Sequence, residues 1–368
     1  MESPVNVYTE WAPLQEVIVG DCLNFNIDLL DPTFEFVYYE NLKSQKHRKT
    51  KQYKIDRKRL EQRAADLNRL QKVLEEFGVI VRRPKSLDKA ISIKTPHFNA
   101  ICMAPDSPRD TVACVGQTII ETPPIVRGRY FENMHYREIF LDYFKKGATW
   151  VSAPNPMLTK ETIDMIDLNE TWIDVPADKF HGMKFINPKY EIAFDAANFV
   201  KLGTDILFNI GSQNHELGCH WLQSILGNDF DVWPIRLCDS HIDGAIALLA
   251  PGKILYNPAL DKKRKILEQL PKQMKKWDMI PTEEEDLSFC LDDEEIALAS
   301  EEGMFMNVLS INQDTVLVQD TAVNTIKSLE RHKFEVVPIE FNQGRLFSGG
   351  LHCCTVDVRR EEDQERYL

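Results

Sequence analysis

The sequence predicts a single α/β domain in which a repeated unit is set around a centre. A pattern of two short apolar runs, a turn and a helical segment recurs four times. The two ends of the chain each hold one further apolar run, and joining them would complete a fifth unit and close a ring. No Pro/Gly/Ser-rich linker interrupts the series, so one domain spans residues 1–368. Periodicity alone fits equally well an ordinary mixed α/β fold with unrelated hairpins.

Taken in order, Leu60, Ala64, Leu67, Leu74 and Phe77 recur at helical spacing between Arg57 and Phe77, and Gly78 supplies a residue that tolerates a left-handed stop. Val79 to Val81 follows as a strand, ended by Pro84. The first repeat runs Thr111 to Val115, a Gly116-Gln117 turn, Thr118 to Glu121, then a helix around Tyr136 to Lys145. In the second, Glu191 to Phe194 and Asp205 to Asn209 precede a helix from Glu216 to Leu226. The third pairs Ala245 to Leu249 with Ile254 to Tyr256 across Pro251-Gly252 and enters a helical region, Lys262 to Trp277. The fourth is Met304 to Ile311, Thr315 to Val318 and a helix through Ala322 to His332. The fifth would lay Glu16 to Val19 beside Cys354 to Val358.

Composition narrows the function classes. With 43% hydrophobic and 27% charged residues the 368-residue chain falls in the ordinary globular range. A net charge of -13 argues against nucleic acid or an anionic membrane as partner, since both need a basic footprint. The acidic runs Glu283 to Asp286 and Asp292 to Glu295 read as solvated loop or helix edges rather than a metal site. Met1 to Glu10 lacks a basic region followed by an apolar stretch, and nowhere do about 18 apolar residues run together, so neither a signal peptide nor a membrane span is expected. The eight cysteines follow no disulfide-rich or metal-ligand spacing and read as reduced thiols of a cytoplasmic protein.

Two apparent motifs fail on spacing. In His215-Glu216-Leu217-Gly218-Cys219-His220 the second histidine comes five residues after the first, off the helix face that a zinc site would need. Gly116, Gly128 and Gly349-Gly350 fit no dinucleotide or phosphate-binding loop and read as turns. Three other segments carry more chemistry. Gly349-Gly350-Leu351-His352-Cys353-Cys354 allows a tight turn that exposes a thiol at a strand end. His241-Ile242-Asp243 puts an acid/base group and a carboxylate two apart, on one face if the segment is a strand. Phe194-Asp195-Ala196-Ala197-Asn198 supplies another carboxylate at a strand end. Taken singly, each reads as readily as a packed thiol or a satisfied structural pair.

Together with many other stretches they resemble the arginine amidinotransferase family over nearly the whole chain. The matching stretches include Asn6 to Trp11, Glu16 to Gly20, Pro108-Arg109-Asp110, Val115 to Pro123, Gly203-Thr204-Asp205, Glu216-Leu217-Gly218, Met306-Asn307-Val308-Leu309 and Asp357-Val358-Arg359-Arg360. Asn198 and Gln117-Thr118-Ile119-Ile120 look most like the inosamine-phosphate branch. The resemblance implies a pentein-type α/β propeller, a ring of five ββα-type units with pseudo-fivefold symmetry. It implies Cys353 as nucleophile, His241 as general acid/base, Asp195 as its carboxylate partner, and Asp110 and Asp243 as holders of the donor guanidinium. The chemistry agrees, because attack on a resonance-stabilised cation needs a strong nucleophile and carboxylates that grip the planar group by paired hydrogen bonds. Transfer from L-arginine to an amine, by a ping-pong route that needs neither metal nor organic cofactor, is the expected activity, with a homodimer suggested by the family.

Some positions depart from the family pattern. An arginine that often follows the Asn-Pro of the third repeat is replaced by Leu260, leaving Lys262, Lys263 or Arg264 as substitutes for holding the donor carboxylate, or as a basic solvated helix face. Ser300 is followed by Glu301 where the glycine-specific enzyme has two serines, and Ser300 is retained as a substrate-binding candidate. A phosphorylated aminocyclitol such as scyllo-inosamine 4-phosphate is the favoured acceptor, with Arg127 and Arg129 as phosphate-binding candidates or, equally, structural salt-bridge partners. Glycine, a secondary-metabolite amine or a toxin precursor are the other acceptors. A guanidino-group hydrolase using the same residues, and a guanidine-binding protein without catalysis, are the competing readings.

Overall fold

Among the described residues, five three-stranded sheets carry the architecture, and all five are built alike. The computed structural model describes residues 3–26, 28, 31–34, 55–164, 187–238, 241–282, 304–347 and 349–368. In each sheet two strands pair antiparallel, and a third returns after a helix to pair parallel with the second. Thr355–Arg360, Leu14–Val19 and Ile80–Arg82 form the first unit; Val112–Val115, Thr118–Glu121 and Thr149–Ser152 form the second. Phe199–Leu202, Asp205–Asn209 and Asp231–Ile235 form the third; Ile246–Ala250, Lys253–Tyr256 and Asp278–Pro281 the fourth; Leu309–Ser310, Thr315–Gln319 and Glu335–Ile339 the fifth. The intervening helices are Arg57–Glu76, Arg137–Lys145, Gln213–Leu226, the short pair Pro258–Arg264 and Ile266–Gln269, and Val323–Arg331. A two-stranded ribbon, Ser92–Lys94 with Asn99–Ile101, lies outside the series.

Local chemistry starts and stops these elements. Asp56 caps the long helix by accepting from the Lys58 N–H, and Ser212 does the same for the His215 N–H of the third unit. Asn257 caps Pro258–Arg264, with Pro258 at the first helical position. Gly203, at φ +74°, turns the chain between the antiparallel strands of the third unit, a conformation that disfavours any side chain.

Alternation along the strands explains why the units form a ring. Successive side chains point to opposite faces, and here each face fills a different core. Val17 and Val19 pack toward the fifth unit with Leu309 and Leu317, whereas Ile18 joins Val112, Cys114 and Ile119 of the second. Ala113, Val115 and Ile120 point the other way, into a cluster with Phe199, Ile206 and Phe208 of the third unit. Val200, Leu202 and Leu207 meet Ile246, Leu248 and Ile254 of the fourth. Leu249 and Leu255 meet Val316 and Val318 of the fifth. Five clusters thus lie between successive units, and the last returns to the first. Strands buried on both faces read as continuous apolar runs, which is the signal the sequence carries.

The predicted closure is present: Val17 pairs with Asp357, Ile18 with Val356 and Val19 with Thr355. Other expectations are corrected. Every unit has a third strand beyond the expected two, and only the one after the long helix was anticipated, displaced to Ile80–Arg82. The first strand of the third unit is Phe199–Leu202, and Glu191 to Phe194 is an irregular segment leading into a 3-10 turn. In the fifth unit the strand is only Leu309–Ser310, and residues 304–305 are helical. The fourth unit's helical region breaks into short helices at Lys265, which has φ +51°. The acidic runs at 283–286 and 292–295, and Ser300, lie outside the described residues.

Replacing fully buried Ile18 by alanine removes packing between the first and second units. The expected loss is about 2–5 kcal/mol in unfolding free energy by chemical denaturation, and a loss below about 1 kcal/mol would contradict the inter-unit core described here.

Candidate active site

The ring gives every unit an equivalent segment, the one that enters its first strand, and those segments carry the site. Asp110 sits in the short helix Pro108–Thr111 that leads into Val112–Val115. Asp195 caps the 3-10 turn Ala196–Asn198 ahead of Phe199–Leu202. His241 caps the turn Ile242–Gly244, which contains Asp243, ahead of Ile246–Ala250. Asn307 precedes Leu309–Ser310, and Cys353 precedes Thr355–Arg360. Residues scattered over some 240 positions of sequence therefore meet through symmetry of placement. His241 and Asp243 come together from a tight turn, not from one face of a strand as expected.

Cys353 is buried, with 4% of its surface exposed, so the expectation of an exposed thiol is corrected. Its Sγ lies 3.3 Å from Asp243 Oδ2, toward which the thiol donates, and accepts from Asn307 Nδ2 at 3.0 Å. Asn307 Oδ1 in turn accepts the backbone N–H groups of His352 and Cys353, each at 3.0 Å, fixing the turn that bears the thiol. The preceding glycines are needed for close approach rather than for a left-handed turn, since neither has a positive φ. A Cβ on Gly349 would sit 2.8 Å from Cys353 Cβ, and one on Gly350 would sit 2.8 Å from Asn307 Cβ.

His241 faces two carboxylates. Its Nε2 is 2.9 Å from Asp195 Oδ2 and its Nδ1 is 3.6 Å from Asp110 Oδ1. Burial would push its pKa down, but Asp110, Asp195 and Asp243 outweigh it and raise the imidazole to about 9. Burial likewise pushes Asp243 up, yet His352, His241 and the Cys353 contact hold it at about 2. For Asp195, the His241 hydrogen bond and charge and the Arg129 charge overcome burial and lower the pKa. Asp110 is raised by burial against the opposing pull of Arg129 and His241. The Cys353 thiol is pushed well above its ordinary value, first by burial and then by the fields of Asp243 and Asp110. The resting site thus holds a protonated thiol and an imidazolium among carboxylates.

Two buried carboxylate oxygens, Asp110 Oδ1 and Asp195 Oδ1, have no hydrogen-bond partner among the described residues. Buried acceptors without a hydrogen bond are costly and suit a multi-donor cation. A guanidinium, planar and rich in N–H groups, is such a cation.

The two arginines considered for phosphate are engaged elsewhere, in the structural alternative. Arg129 is buried, donating to Asp110, to both oxygens of Glu132 at 2.7 and 3.0 Å, and to the Ser107 carbonyl at 2.8 Å. It fixes Asp110. Arg127 donates to the Leu158 carbonyl at 2.9 Å, lies 3.6 Å from Asp31 and covers the Phe98 ring. Leu260 packs against the core between the third and fourth units, while Lys262 and Lys263 are exposed on the helix end. In the misleading histidine motif, His215 Nδ1 accepts from the Gly211 N–H, and His220 reaches Glu216 at 3.2 Å.

Sequence reasoning gave no role to Asn307, His352 or Glu10. The stretches Met306-Asn307 and His352-Cys353 were visible as matches, but only the folded chain joins the amide to the thiol.

No family model matches the sequence. It is 34% identical over 369 residues to inosamine-phosphate amidinotransferase 1 of Streptomyces glaucescens, covering 99% of each chain. It is 31% identical to an L-arginine:L-lysine amidinotransferase of Pseudomonas savastanoi pv. phaseolicola, covering 100% of this chain and 97% of the other. Among solved structures, the inosamine-phosphate amidinotransferase of Streptomyces griseus superposes with a TM-score of 0.85 at 34% identity, covering 100% of this chain and 99% of that one. A dimethylarginine dimethylaminohydrolase, at 15% identity and a TM-score of 0.53 over 94% of this chain and 99% of its own, shares the pentein fold. With full-length relatives above 30% identity and this fold, the chain belongs to the arginine amidinotransferase family and is a transferase of amidino groups.

Proposed function

We propose that the enzyme transfers the amidino group of L-arginine to an acceptor amine through an amidino-cysteine at Cys353, releasing ornithine before the acceptor enters. The observation that carries this reading is the thiol set against Asp243 at 3.3 Å, in a site whose Asp110 and Asp195 each keep one buried oxygen without a hydrogen bond among the described residues. Asp110 and Asp243 hold the guanidinium, whose positive charge offsets the carboxylate fields that add to burial in keeping the thiol protonated, so when donor is bound the thiol gives its proton to solvent and attacks as thiolate. Sulfur attacks the central guanidino carbon, and His241, already protonated, gives its proton to the departing nitrogen. Asp195 holds the imidazole throughout. The now neutral His241 then takes a proton from the incoming amine, which displaces sulfur and carries the amidino group away.

An aminocyclitol phosphate such as scyllo-inosamine 4-phosphate is the acceptor we favour. Support for it is the full-length similarity to enzymes named for an inosamine phosphate. Arg127 and Arg129 no longer support it, because their donors are committed to Leu158, Asp31, Glu132 and Asp110. Comparing kcat/KM for this acceptor, glycine and lysine, with arginine fixed, tests the choice: the aminocyclitol phosphate should exceed both amino acids, and a higher value for either would replace it.

With arginine and hydroxylamine as a small surrogate amine, ornithine and hydroxyguanidine are the expected products. Cys353→Ala should lower their formation by about a thousandfold or more. Citrulline and ammonia in place of ornithine would mean that water, not amine, resolves the intermediate.

The pH dependence follows from His241. Its folded pKa of about 9 exceeds its ordinary 6.5, so the acid form is complete near neutrality and is lost as pH rises through about 9. The pH profile of kcat/KM reports the free enzyme, and should therefore fall on the alkaline side near that value. Asp195→Asn should move that limb to lower pH as well as slowing the reaction; an unmoved limb would show that another group titrates there. The same raised pKa means that His241 stabilises the fold fully below 6.5 and ceases to do so as pH rises through about 9.

A further inference from the structure

Asp243 is held from behind by a residue with no part in the chemistry above. Its Oδ2 receives the Cys353 thiol, Asn307 Nδ2 at 3.4 Å, and His352 Nδ1 at 3.0 Å. None of these contacts uses Oδ1. The other ring nitrogen of His352, Nε2, lies 3.6 Å from Glu10 Oε2. Glu10 is itself immobilised: its Oε1 takes Lys201 Nζ at 2.7 Å and the Lys201 N–H at 3.1 Å, and Oε2 lies 3.5 Å from Arg109. Arg109 also donates to the His352 carbonyl at 2.8 Å and pairs with Asp357 at 2.8 Å. Glu10, Arg109, Lys201 and Asp357 are all buried. The imidazole is thus braced between a site carboxylate and a buried ion cluster that draws on the first, second and third units.

We propose that His352 is a positioning residue for donor recognition: braced by Glu10, it keeps Asp243 turned with Oδ2 on the thiol and Oδ1 left for the guanidinium. The inference rests on the reading of Asp243 as a guanidinium holder and adds what sets its orientation. A carboxylate with one anchored oxygen loses rotational freedom before the cation arrives, so more of the interaction energy appears as binding. Without the imidazole, the Asn307 contact at 3.4 Å and the thiol are the groups that remain on Oδ2 among the described residues.

The test is the alkylation of Cys353 by two reagents of different charge and the same leaving group, chloroacetamidine and chloroacetamide, followed by mass spectrometry of the labelled peptide. In both, a sulfur–carbon bond forms, halide leaves and the thiol proton passes to solvent. Only the amidine presents a planar cation for Asp243. Wild type should be labelled faster by the amidine, and His352→Ala should slow that labelling about tenfold while leaving the chloroacetamide rate nearly unchanged. His352→Asn, whose amide can occupy the Nδ1 position, should restore the amidine rate to within about threefold of wild type. In steady state the alanine variant should raise KM for arginine more than it lowers kcat. An alanine variant that keeps the amidine preference, or loses both rates equally, would overturn the positioning role. If wild type itself shows no preference for the cation, the guanidinium site at Asp243 fails, and with it the premise.

Discussion

The antiparallel pairing of Leu14–Val19 with Thr355–Arg360 is the constraint on which the rest depends. It joins residues more than 330 positions apart, and it makes a closed ring out of what would otherwise be an open row of units. The two strands place Val17 and Val19 against the fifth unit and Ile18, Val356 and Val358 against the second. Closing the ring covers the apolar faces that these strands would otherwise show at its ends. Loop closure over nearly the whole chain is entropically expensive but grows only slowly with length. Two flanking inter-unit cores compensate for it.

The same pairing brings the proposed nucleophile to its partners. Cys353 stands immediately before the closing strand, and Asp110, Asp195, His241 and Asp243 stand before the first strands of the units that follow. Glycine at 349 and 350 lets the thiol turn press against Ser107 and Asn307. Arg63, fully buried, ties the two loops from outside: it grips Asp106 at 2.6 and 2.9 Å and reaches Cys354 Sγ at 2.6 Å. The site is consequently a product of ring geometry, with buried ion pairs fixing each entering segment. Its electrostatics suit one kind of visitor. In the proposed reaction, burial and the anionic carboxylates hold the thiol protonated until a cation arrives, which would restrain it between turnovers.

Much of this was legible beforehand. Fully buried strands such as Val112–Val115 and Asp205–Asn209 appear as apolar runs, and the ring closure followed from the unmatched runs at the two chain ends. The third strands were hidden by their composition. Pro234, Pro281 and Pro338 sit in Asp231–Ile235, Asp278–Pro281 and Glu335–Ile339, which a sequence reading demotes, yet each is an edge strand of its sheet, where proline costs no ladder bond on its outer side. Phe199–Leu202 was obscured by Lys201, a charge tolerated in a buried strand because Glu10 meets it at 2.7 Å. The candidate chemical residues were named through resemblance to a family, and the fold brings Cys353, Asp243, His241, Asp195 and Asp110 together. What no spacing could reveal were the contacts between distant segments: Asn307 on the thiol, Arg129 on Asp110, and His352 between Asp243 and Glu10.

The central claim is that a buried thiol among carboxylates becomes a nucleophile toward the cation those carboxylates hold. The most direct measurement is a single-turnover experiment with arginine and no acceptor, following ornithine release by rapid quench and the Cys353 peptide by mass spectrometry. The account predicts a burst of ornithine equal to the enzyme present, with one amidino group added to Cys353 and removed when an amine is supplied. Ornithine that appears only once acceptor is added, with Cys353 never modified, would contradict it and indicate direct transfer between the two substrates.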